Sequence, residues 1–415
     1  MVPIDKQVIV LMRGSEFGDP QIKEMMTQEL RQRLVEADNE GRPLRVYCGY
    51  DVTAPDIHLG HTITMRKLRQ FQDFGHEVTF LIGTFTTLIG DPSDRDDERS
   101  IPLAEQIEKN AQTYAAQAFK ILDPHKTSIR YNHEWLNKLT FADVIKMASY
   151  FTVQQFLTRD RLRSRYEMNK PLWLRELLYP LAQGYDAVSL HADVQIGATE
   201  QLFNLMAARR VQEIFGQKPQ VCITFPVLVG TDGVQRMSKS LGNYIGIAEP
   251  PDQIYGKIMS IPDSLILDYF ELLTDVPDEE LVEFRQALDN EAVNPMDLKK
   301  RLARDIVTQI HNSSTAAEAE AYFEKVFQKR EVPEDIPTIH SSEERTDIRH
   351  QIVSNGLVAS MSEASRLIKQ GAVRVDGEKV TNNNFVVKNG STINIGKLGW
   401  WKIKYVRPTI PGTSD

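Results

Sequence analysis

Cysteine is scarce in this sequence, and long apolar runs and an overall excess of positive charge are absent. The 415 residues include two cysteines, Cys48 and Cys222. Two are too few for a disulfide framework or a zinc cage, and they suit a reducing compartment. No apolar run approaches the roughly 18 residues that span a bilayer, and the amino terminus lacks the pattern of an export signal. We therefore expect a cytoplasmic protein without membrane association.

Charge is distributed unevenly along the chain. The formal net charge is -8, but residues 346–415 contain 6 Lys and 4 Arg against 3 Asp and 2 Glu, a net of +5, which leaves -13 for residues 1–345. A basic segment on an acidic body predicts one local anionic partner. On charge alone, an uneven surface without function is the alternative. The length predicts two or three domains.

The order of strand-like and helix-like segments predicts an α/β domain. Residues 44–50 alternate like a strand, "HTITMRKLRQFQDFG" has apolar residues at helical spacing, and "HEVTFLIG" is a second strand. Such a unit implies a parallel sheet with a right-handed crossover. We expect a doubly wound sheet whose ligands bind beyond the carboxyl ends of the strands. Further strand-like runs at 127–132, 192–197 and 221–230 alternate with helical segments at 102–122, 141–160 and 199–215.

The strand pattern fades near residue 246. Residues 246–330 are typical of helices, with Asp or Asn at their starts. Residues 331–345 are polar, contain prolines and indicate a linker. Beyond them, "MSEASRLIKQG" predicts a basic helix and "AVRVDGEKV" predicts a hairpin that turns at Asp-Gly.

The stretch "DIHLGH" places His58 and His61 on either side of Gly60, where the first strand gives way to the first helix. A helix amino terminus offers unpaired N–H groups and a positive dipole end, and imidazoles can donate to phosphate oxygens. Glycine lets a nucleotide approach the backbone closely. The arrangement predicts a phosphate site, and the alternative is an ordinary pair of surface or core histidines.

The loop "GTDGVQRMSKSLGN" carries two cations, Arg236 and Lys239, three residues apart. A flexible loop of this kind could close on a triphosphate and stabilise charge on departing pyrophosphate. By itself, a basic turn is most often solvated surface. Its combination with the histidine motif on one parallel sheet favours nucleotide chemistry.

Three polar residues share one helical face in "YPLAQGYD". Tyr179, Gln183 and Asp186 occupy positions i, i+4 and i+7 among apolar neighbours, which predicts that they line a pocket. The alternative is a helix face hydrogen-bonded within the core. Pro180 indicates that the helix begins or kinks at that point.

Together, "HLGH" and "RMSKS" resemble the two signature motifs of class I aminoacyl-tRNA synthetases. With "VYCGYDVTAPDIHLGH", "LIGDPSDRDDER", "YPLAQGYD", "QIGATEQLFN" and the tail, nearly the whole chain resembles the bacterial tyrosyl-tRNA synthetases. The tail, with "SEASRLIKQGAVRVDGEKV", resembles the RNA-binding module of ribosomal protein S4; a stabilising or dimerising appendage is the alternative. The implied domains are a Rossmann-like, HUP-type catalytic domain at 1–245 with a dimer-forming insertion near 125–190, an α-helical anticodon-binding domain at 246–330, a linker at 331–345, and a small α+β S4-like domain at 346–415.

The resemblance also implies a function. The family activates L-tyrosine with ATP to tyrosyl-adenylate and transfers tyrosine to tRNA(Tyr), as a homodimer, with Mg²⁺ accompanying the triphosphate and no protein-bound metal expected. The alternatives are a tryptophanyl-tRNA synthetase, a small-molecule nucleotidylyltransferase and a non-catalytic RNA-binding paralogue. Tyr47 with Asp186, and the basic tail, favour tyrosine over tryptophan.

Site residues are implied by the resemblance, position by position. Asp91, Tyr179 and Gln183 would hold the tyrosine ammonium, Tyr47 and Asp186 would hold its phenolic hydroxyl, and Gln201 would lie near its carboxyl group. The implied ATP-binding residues are Cys48, Gly49, Asp51, Thr53, His58, Gly60, His61, Glu200, Met237, Ser238, Lys239 and Ser240. The implied catalytic residues, which would stabilise charge on the phosphates, are His58, His61, Arg95, Arg99, Arg236 and Lys239.

The sequence departs from the family pattern at several of these positions. Arg236 begins the signature loop in place of lysine, which keeps the charge but changes the donor geometry. Ala198 and Glu200 replace glycine and aspartate of the family's "GGTDQ" pattern, which alters the residues expected near the ribose. Arg95 stands where many relatives have lysine.

Overall fold

The computed structural model describes residues 2–92, 103–328, 336–341, 345–396 and 399–405. These residues belong to two structural units, Met1–Glu320 and Ala321–Asp415. Arg95 and Arg99 lie outside the described residues, so their predicted roles stay predictions.

A five-stranded parallel sheet forms the centre of the first unit. The strand order is β3-β2-β1-β4-β5, and each neighbouring pair is parallel. The chain moves outward from β1 on one side and returns to continue from its other side, so the sheet is doubly wound, as predicted. The strands are β1 (Arg45–Tyr50), β2 (Glu77–Ile82), β3 (Thr127–Tyr131), β4 (Val194–Ala198) and β5 (Val221–Phe225).

Helices flank this sheet within the first unit. Those before residue 246 are α1 (Ile4–Met12), α2 (Pro20–Asn39), α3 (Leu59–Asp73), α4 (Thr86–Ile89), α5 (Ala104–Ala118), α6 (His133–Leu136), α7 (Phe141–Ala148), α8 (Val153–Phe156), α9 (Asp160–Glu167), α10 (Leu174–Ser189) and α11 (Leu202–Ile214). The later helices are α12 (Pro251–Met259), α13 (Ile266–Leu273), α14 (Asp278–Asp289), α15 (Pro295–Ile310) and α16 (Ser313–Phe323), which runs across the boundary at residue 320.

The helical segment predicted at 141–160 is divided into α7, α8 and the start of α9. Thr140 and Thr152 each form a capping box, in which the hydroxyl accepts from a backbone N–H three residues on. Each cap satisfies the exposed donors of a new helix start. Local capping therefore overrides the continuous apolar spacing.

The helices after residue 246, predicted from their capping residues, pack in the same unit as the sheet. Tyr269 of α13 donates its hydroxyl to the Val229 carbonyl at 2.7 Å. Arg66 of α3 pairs with Asp275 at 2.6 Å. The first bond connects the helical segment to the loop after β5, and the second connects it to α3, the helix that begins at the histidine motif. The role of the 246–330 segment in anticodon binding stays a prediction.

The second unit contains a small mixed sheet and two helices around an apolar core that includes Ile348, Ile352, Ile368 and Ile393. The predicted basic helix and the hairpin with Asp376 at its turn are both present. Its elements are β6 (Thr338–Ser341), β7 (Arg345–Asp347), α17 (Ile348–Ser354), α18 (Met361–Lys369), β8 (Val373–Val375), β9 (Glu378–Lys379), β10 (Val386–Lys388), β11 (Thr392–Ile395) and β12 (Gly399–Tyr405). The larger sheet has the order β6-β12-β11-β8-β9.

Part of the predicted linker at 331–345 belongs to this sheet. Strand β6 pairs in parallel with β12, matching Ile339 to Ile403. Ile339 and Ser341 are buried while Thr338 and His340 are exposed, a period-two pattern too short to recognise among polar neighbours. Residues 338–341 are therefore a strand, and only tertiary pairing makes them one.

Candidate active site

A cleft of about 620 Å³ opens at the carboxyl ends of β1, β4 and β5. It lies where the strand order reverses, which is where open α/β sheets bind ligands. The predicted residues that line it are Cys48, Gly49, Asp51, Thr53, His58, Gly60, His61, Asp91, Tyr179, Glu200, Gln201, Arg236, Met237, Ser238, Lys239 and Ser240. Tyr47, Gln183 and Asp186 are not among the cleft-lining residues of the described chain; their exposed fractions are 1%, 9% and 2%.

His58 and His61 form the start of helix α3. His58 is the N-cap, and its Nδ1 accepts from the Gly60 N–H at 3.2 Å. His61 Nδ1 accepts from the His58 N–H at 3.3 Å. Because each Nδ1 is an acceptor, each neutral ring carries its proton on Nε2. The pair therefore presents imidazole N–H donors at a cleft that also meets the helix amino terminus.

Burial keeps both imidazoles neutral. Desolvation and the nearby Lys239 charge lower the pKa of His61 to about 4. Desolvation, with His61 and Lys239 as further causes, lowers the pKa of His58 still further. Gly60 is required between them because a Cβ there would lie 3.0 Å from the His58 ring. The motif is thus a rigid pair of neutral donors.

The second signature loop is held by Asn243. Its Oδ1 accepts from the Ser238 N–H at 2.8 Å, and its Nδ2 donates to the Arg236 carbonyl at 3.0 Å. A Cβ at Gly230 would come within 2.3 Å of the Asn243 amide, so the loop closes only around glycine there. The Met237 N–H donates to the Leu228 carbonyl at 2.7 Å.

The two signature segments are joined to each other. Lys239 donates its ammonium to the Asp56 carbonyl, just before the histidine motif. Backbone bonds from Leu59 to Ile245 (2.9 Å) and from Ile247 to Ile57 (3.0 Å) continue the connection. Desolvation lowers the pKa of Lys239 from its ordinary value. The loop cation and the histidines therefore face one cleft.

Glu200 connects the signature loop to α9. Its Oε2 accepts from Arg236 at 3.2 Å, and its Oε1 accepts from Arg161 at 2.8 Å. Two of the positions that depart from the family pattern, Glu200 and Arg236, are thus in direct contact. Sequence reasoning missed Arg161, because nothing local links position 161 to position 200.

Asp91 and Asp51 are the carboxylates on the cleft wall beyond the histidines. Asp91 accepts from Gln201 at 3.4 Å and lies 3.8 Å from the Arg159 guanidinium. Asp51 accepts from the Tyr179 hydroxyl at 3.1 Å. These groups could accept hydrogen bonds from a ligand cation. Arg159 is a second residue that the sequence did not single out.

Tyr47 and Asp186 form a buried polar pair behind the cleft wall. Asp186 accepts from Trp135 Nε1 at 2.8 Å and from Asn132 Nδ2 at 3.3 Å. Burial raises the pKa of Asp186 to about 8. Burial and the Asp186 charge raise the pKa of Tyr47 well above its ordinary value, and the Gln220 amide opposes that shift. Trp135 and Asn132 are far away in sequence, so no local signal identified them.

Two polar atoms of this region, Tyr47 Oη and Gln183 Oε1, lie buried without a partner in hydrogen-bonding geometry among the residues the structure describes. Buried polar groups normally have partners. A water molecule or a ligand could complete the hydrogen bonding of these two atoms. Gln183 and Asp186 lie on the same face of α10. This helix continues through Pro180 and does not begin there.

The cleft also includes a segment that the motif analysis missed. Phe225, the last residue of β5, lines it together with Pro226, Val227 and Leu228, which follow that strand. The rule that ligands bind beyond the carboxyl ends of parallel strands could have identified them. They supply apolar surface to the cleft.

Within the described ranges, no group of three or more His, Cys, Asp or Glu residues could hold a metal ion. No helix in the described part of the chain is both long and apolar enough to cross a membrane.

Solved structures with a similar fold include tyrosyl-tRNA synthetases. The Archaeoglobus fulgidus enzyme, complexed with L-tyrosine, has a TM-score of 0.61 and 24% identity and covers 77% of this chain and 100% of its own. The truncated mitochondrial enzyme of Aspergillus nidulans has a TM-score of 0.61 and 19% identity, covering 79% of this chain and 95% of its own. At these identities, the likeness supports the fold alone.

Sequence comparisons identify the family. Residues 39–328 match the family described as tRNA synthetases class I (W and Y), and residues 350–393 match the S4 domain. A protein of Dehalococcoides mccartyi named tyrosine–tRNA ligase is 48% identical over 93% of this chain and 99% of its own length. One of Thermotoga maritima with the same name is 46% identical over 87% of this chain and 90% of its own. The chain therefore belongs to the tyrosine–tRNA ligase family of class I tRNA synthetases and carries an S4 domain.

Proposed function

We propose that this protein activates L-tyrosine with ATP to tyrosyl-adenylate and then transfers tyrosine to tRNA(Tyr). The observation that carries the proposal is the cleft at the reversal of strand order, where the neutral imidazoles of His58 and His61 face the same space as Lys239 and Arg236. Such a set of donors and cations suits a triphosphate whose charge shifts during reaction.

The adenylation step follows from this geometry. The tyrosine carboxylate attacks the α-phosphorus of ATP, a P–O bond forms, and the bond to pyrophosphate breaks. His58 and His61 can donate through Nε2 to phosphate oxygens without gaining or losing a proton. Lys239 and Arg236, with Arg95 and Arg99, would neutralise the charge on the leaving pyrophosphate. No side chain is required as a covalent nucleophile.

ATP is a substrate, and Mg²⁺ would enter with its triphosphate. The nucleoside part would lie against β1 and the turn after β4, where the cleft wall offers Cys48, Gly49, Asp51, Thr53 and Glu200. Met237, Ser238 and Ser240 supply the loop side of the same space. In this arrangement the substrate would supply the oxygen ligands that a hard cation such as Mg²⁺ prefers.

Tyrosine would bind with its amino and carboxyl groups in the cleft and its ring directed toward the buried pair of Tyr47 and Asp186. Asp91, Tyr179 and Gln183 would hold the ammonium, and Gln201 would lie near the carboxyl group. The phenolic hydroxyl would meet Tyr47 and Asp186, whose burial makes an unpaired hydrogen-bonding group costly. Phenylalanine would leave that pair unsatisfied, and tyrosyl-tRNA synthetases as a class discriminate against it by about 10⁵ without editing.

The second unit and the 125–190 segment would bind macromolecules. The net charge of +5 in residues 346–415 supports contacts with tRNA phosphates, and tRNA charging would take place in the cytoplasm.

Exposed apolar side chains support a homodimer formed by the 125–190 segment, since patches of this kind commonly mark interfaces. They include Phe141 (80% exposed), Ile145 (54%), Val153 (58%), Tyr166 (62%) and Leu174 (74%).

Amino-acid-dependent exchange of labelled pyrophosphate into ATP, run with each of the twenty amino acids, tests the proposal. We expect exchange with tyrosine, followed by tyrosine-dependent charging of tRNA(Tyr). Exchange with tryptophan instead would establish the tryptophanyl alternative. Absence of exchange with every amino acid would refute adenylation and favour an RNA-binding paralogue.

A further inference from the structure

One carboxylate, that of Glu200, is shared by two arginines from distant segments. Arg236 comes from the signature loop and Arg161 from α9, and each contacts a different oxygen. All three side chains are partly exposed: Arg161 by 34%, Glu200 by 26% and Arg236 by 27%. The ions are therefore close to solvent, and their contacts can exchange.

The sharing matters because Glu200 and Arg236 line the cleft, whereas Arg161 is not among the described residues that do. In the proposed reaction, Arg236 must meet the negative charge of departing pyrophosphate. While Arg236 is paired with Glu200, the carboxylate compensates part of the arginine charge and restrains the guanidinium. The strength of the Glu200–Arg236 contact therefore affects how strongly Arg236 acts on the phosphate.

We propose that Arg161 is a positioning residue that moderates the hold of Glu200 on Arg236, an inference that rests on the proposed function. The Arg161 charge compensates part of the Glu200 charge from outside the cleft. When Arg236 moves toward pyrophosphate, Glu200 keeps its contact with Arg161. Without Arg161, Glu200 would attract Arg236 more strongly.

The kinetic test uses Arg161→Ala in tyrosine-dependent pyrophosphate exchange at saturating ATP. We expect kcat to fall about two- to fivefold, the range for a change in one partly exposed ion pair, with the KM for tyrosine unchanged. Arg161→Lys should retain activity, since it keeps the charge. Arg163→Ala is the matched control, because Arg163 lies on the same helix and pairs with Glu167 on an exposed face.

A second substitution separates positioning from structural support. If Arg161 acts through Glu200, then Glu200→Gln in the Arg161→Ala background should restore kcat, although the KM for ATP rises. The Glu200→Gln substitution removes the charge that over-stabilises the Arg236 contact. A kcat that stays low in the double variant, or a loss equal to that of Arg163→Ala, would overturn the proposal.

A ligand-free measurement makes failure of this proposal distinguishable from failure of the proposed function. Trypsin cleavage after Lys239 reports opening of the signature loop. We expect Arg161→Ala to slow cleavage and Glu200→Gln to accelerate it, relative to the unaltered protein and Arg163→Ala. Unchanged or faster cleavage in Arg161→Ala would overturn the proposal. An unaltered protein without tyrosine-dependent exchange would instead refute the proposed function.

Discussion

Replacing Asp186 by asparagine should stabilise this protein increasingly as the pH rises. The Asp186 side chain is buried, and burial raises the pKa of its carboxyl group to about 8. In the unfolded chain, an aspartate titrates near about pH 4. Between these values the folded protein keeps a proton that the unfolded chain has released, so the free energy of unfolding falls as pH rises. Asparagine has no proton to lose.

The magnitude follows from the width of that interval. Each pH unit between the two pKa values removes about 1.4 kcal/mol from the unfolding free energy. Between about pH 5.5 and the folded pKa of about 8, this amounts to roughly 2.5 units, or about 3 kcal/mol. Asparagine keeps one acceptor oxygen and loses one of the two hydrogen bonds from Trp135 and Asn132. That loss lowers stability at both pH values and cancels from the difference.

Urea unfolding of the parent and Asp186→Asn, at equal protein concentration and at about pH 5.5 and about pH 8.5, measures this quantity. The stability difference between the two proteins should grow by about 3 kcal/mol toward asparagine over the interval. Asp193→Asn is the matched control. Asp193 is buried too, and burial raises its pKa, but hydrogen bonds from Arg42 and from the Arg45 N–H bring the net pKa below its ordinary value.

The control substitution Asp193→Asn should lower the free energy of unfolding, and this change should be the same at both pH values. A carboxyl group with a lowered pKa stabilises the fold above the unfolded pKa and loses that effect only as pH falls through the folded pKa. Asp193→Asn should therefore destabilise the protein equally at both pH values. If Asp186→Asn also showed a constant difference, Asp186 would already be ionised at the lower pH, and the argument from burial would be wrong.

Further substitutions test the cleft and the second unit. Changing His61 or Lys239 to alanine should lower kcat for pyrophosphate exchange by about 10²- to 10³-fold with little change in the KM for tyrosine, because these donors meet charge that grows in the transition state. Equal effects on kcat and on the KM for tyrosine would contradict this assignment. Because the pKa of His61 is lowered to about 4, no decline in exchange should track its ordinary titration between about pH 5.5 and 7.5. Tyr47→Phe should reduce the ratio of kcat/KM for tyrosine over phenylalanine, and an unchanged ratio would place hydroxyl recognition elsewhere. Removing residues 346–415 should spare exchange but abolish aminoacylation and flatten the salt dependence of tRNA(Tyr) binding, whereas unchanged binding would exclude a tRNA contact.

The amino-acid sequence alone determined the class of fold and the position of the chemistry. Strands Thr127–Tyr131 and Val221–Phe225 lie within the predicted runs at 127–132 and 221–230, because apolar and β-branched residues mark a strand locally. The second strand ends at Phe225, before the proline that follows it. The histidine motif and the loop of Lys239 were also visible, since their residue types and spacing are properties of short segments. The helical segment predicted at 141–160 is present, but it is divided into shorter helices, one of which begins after the Thr152 cap.

Only the tertiary structure decided which side chains act on one another. Trp135 and Asn132 reach Asp186 across 51 and 54 positions of the chain, and Arg161 meets Glu200 across 39. The raised pKa of Asp186 and the lowered pKa of His61 likewise come from burial, which depends on distant segments packing around each group. A sequence specifies the identity of an ionisable group, but its protonation state and partners are set by what the fold places around it.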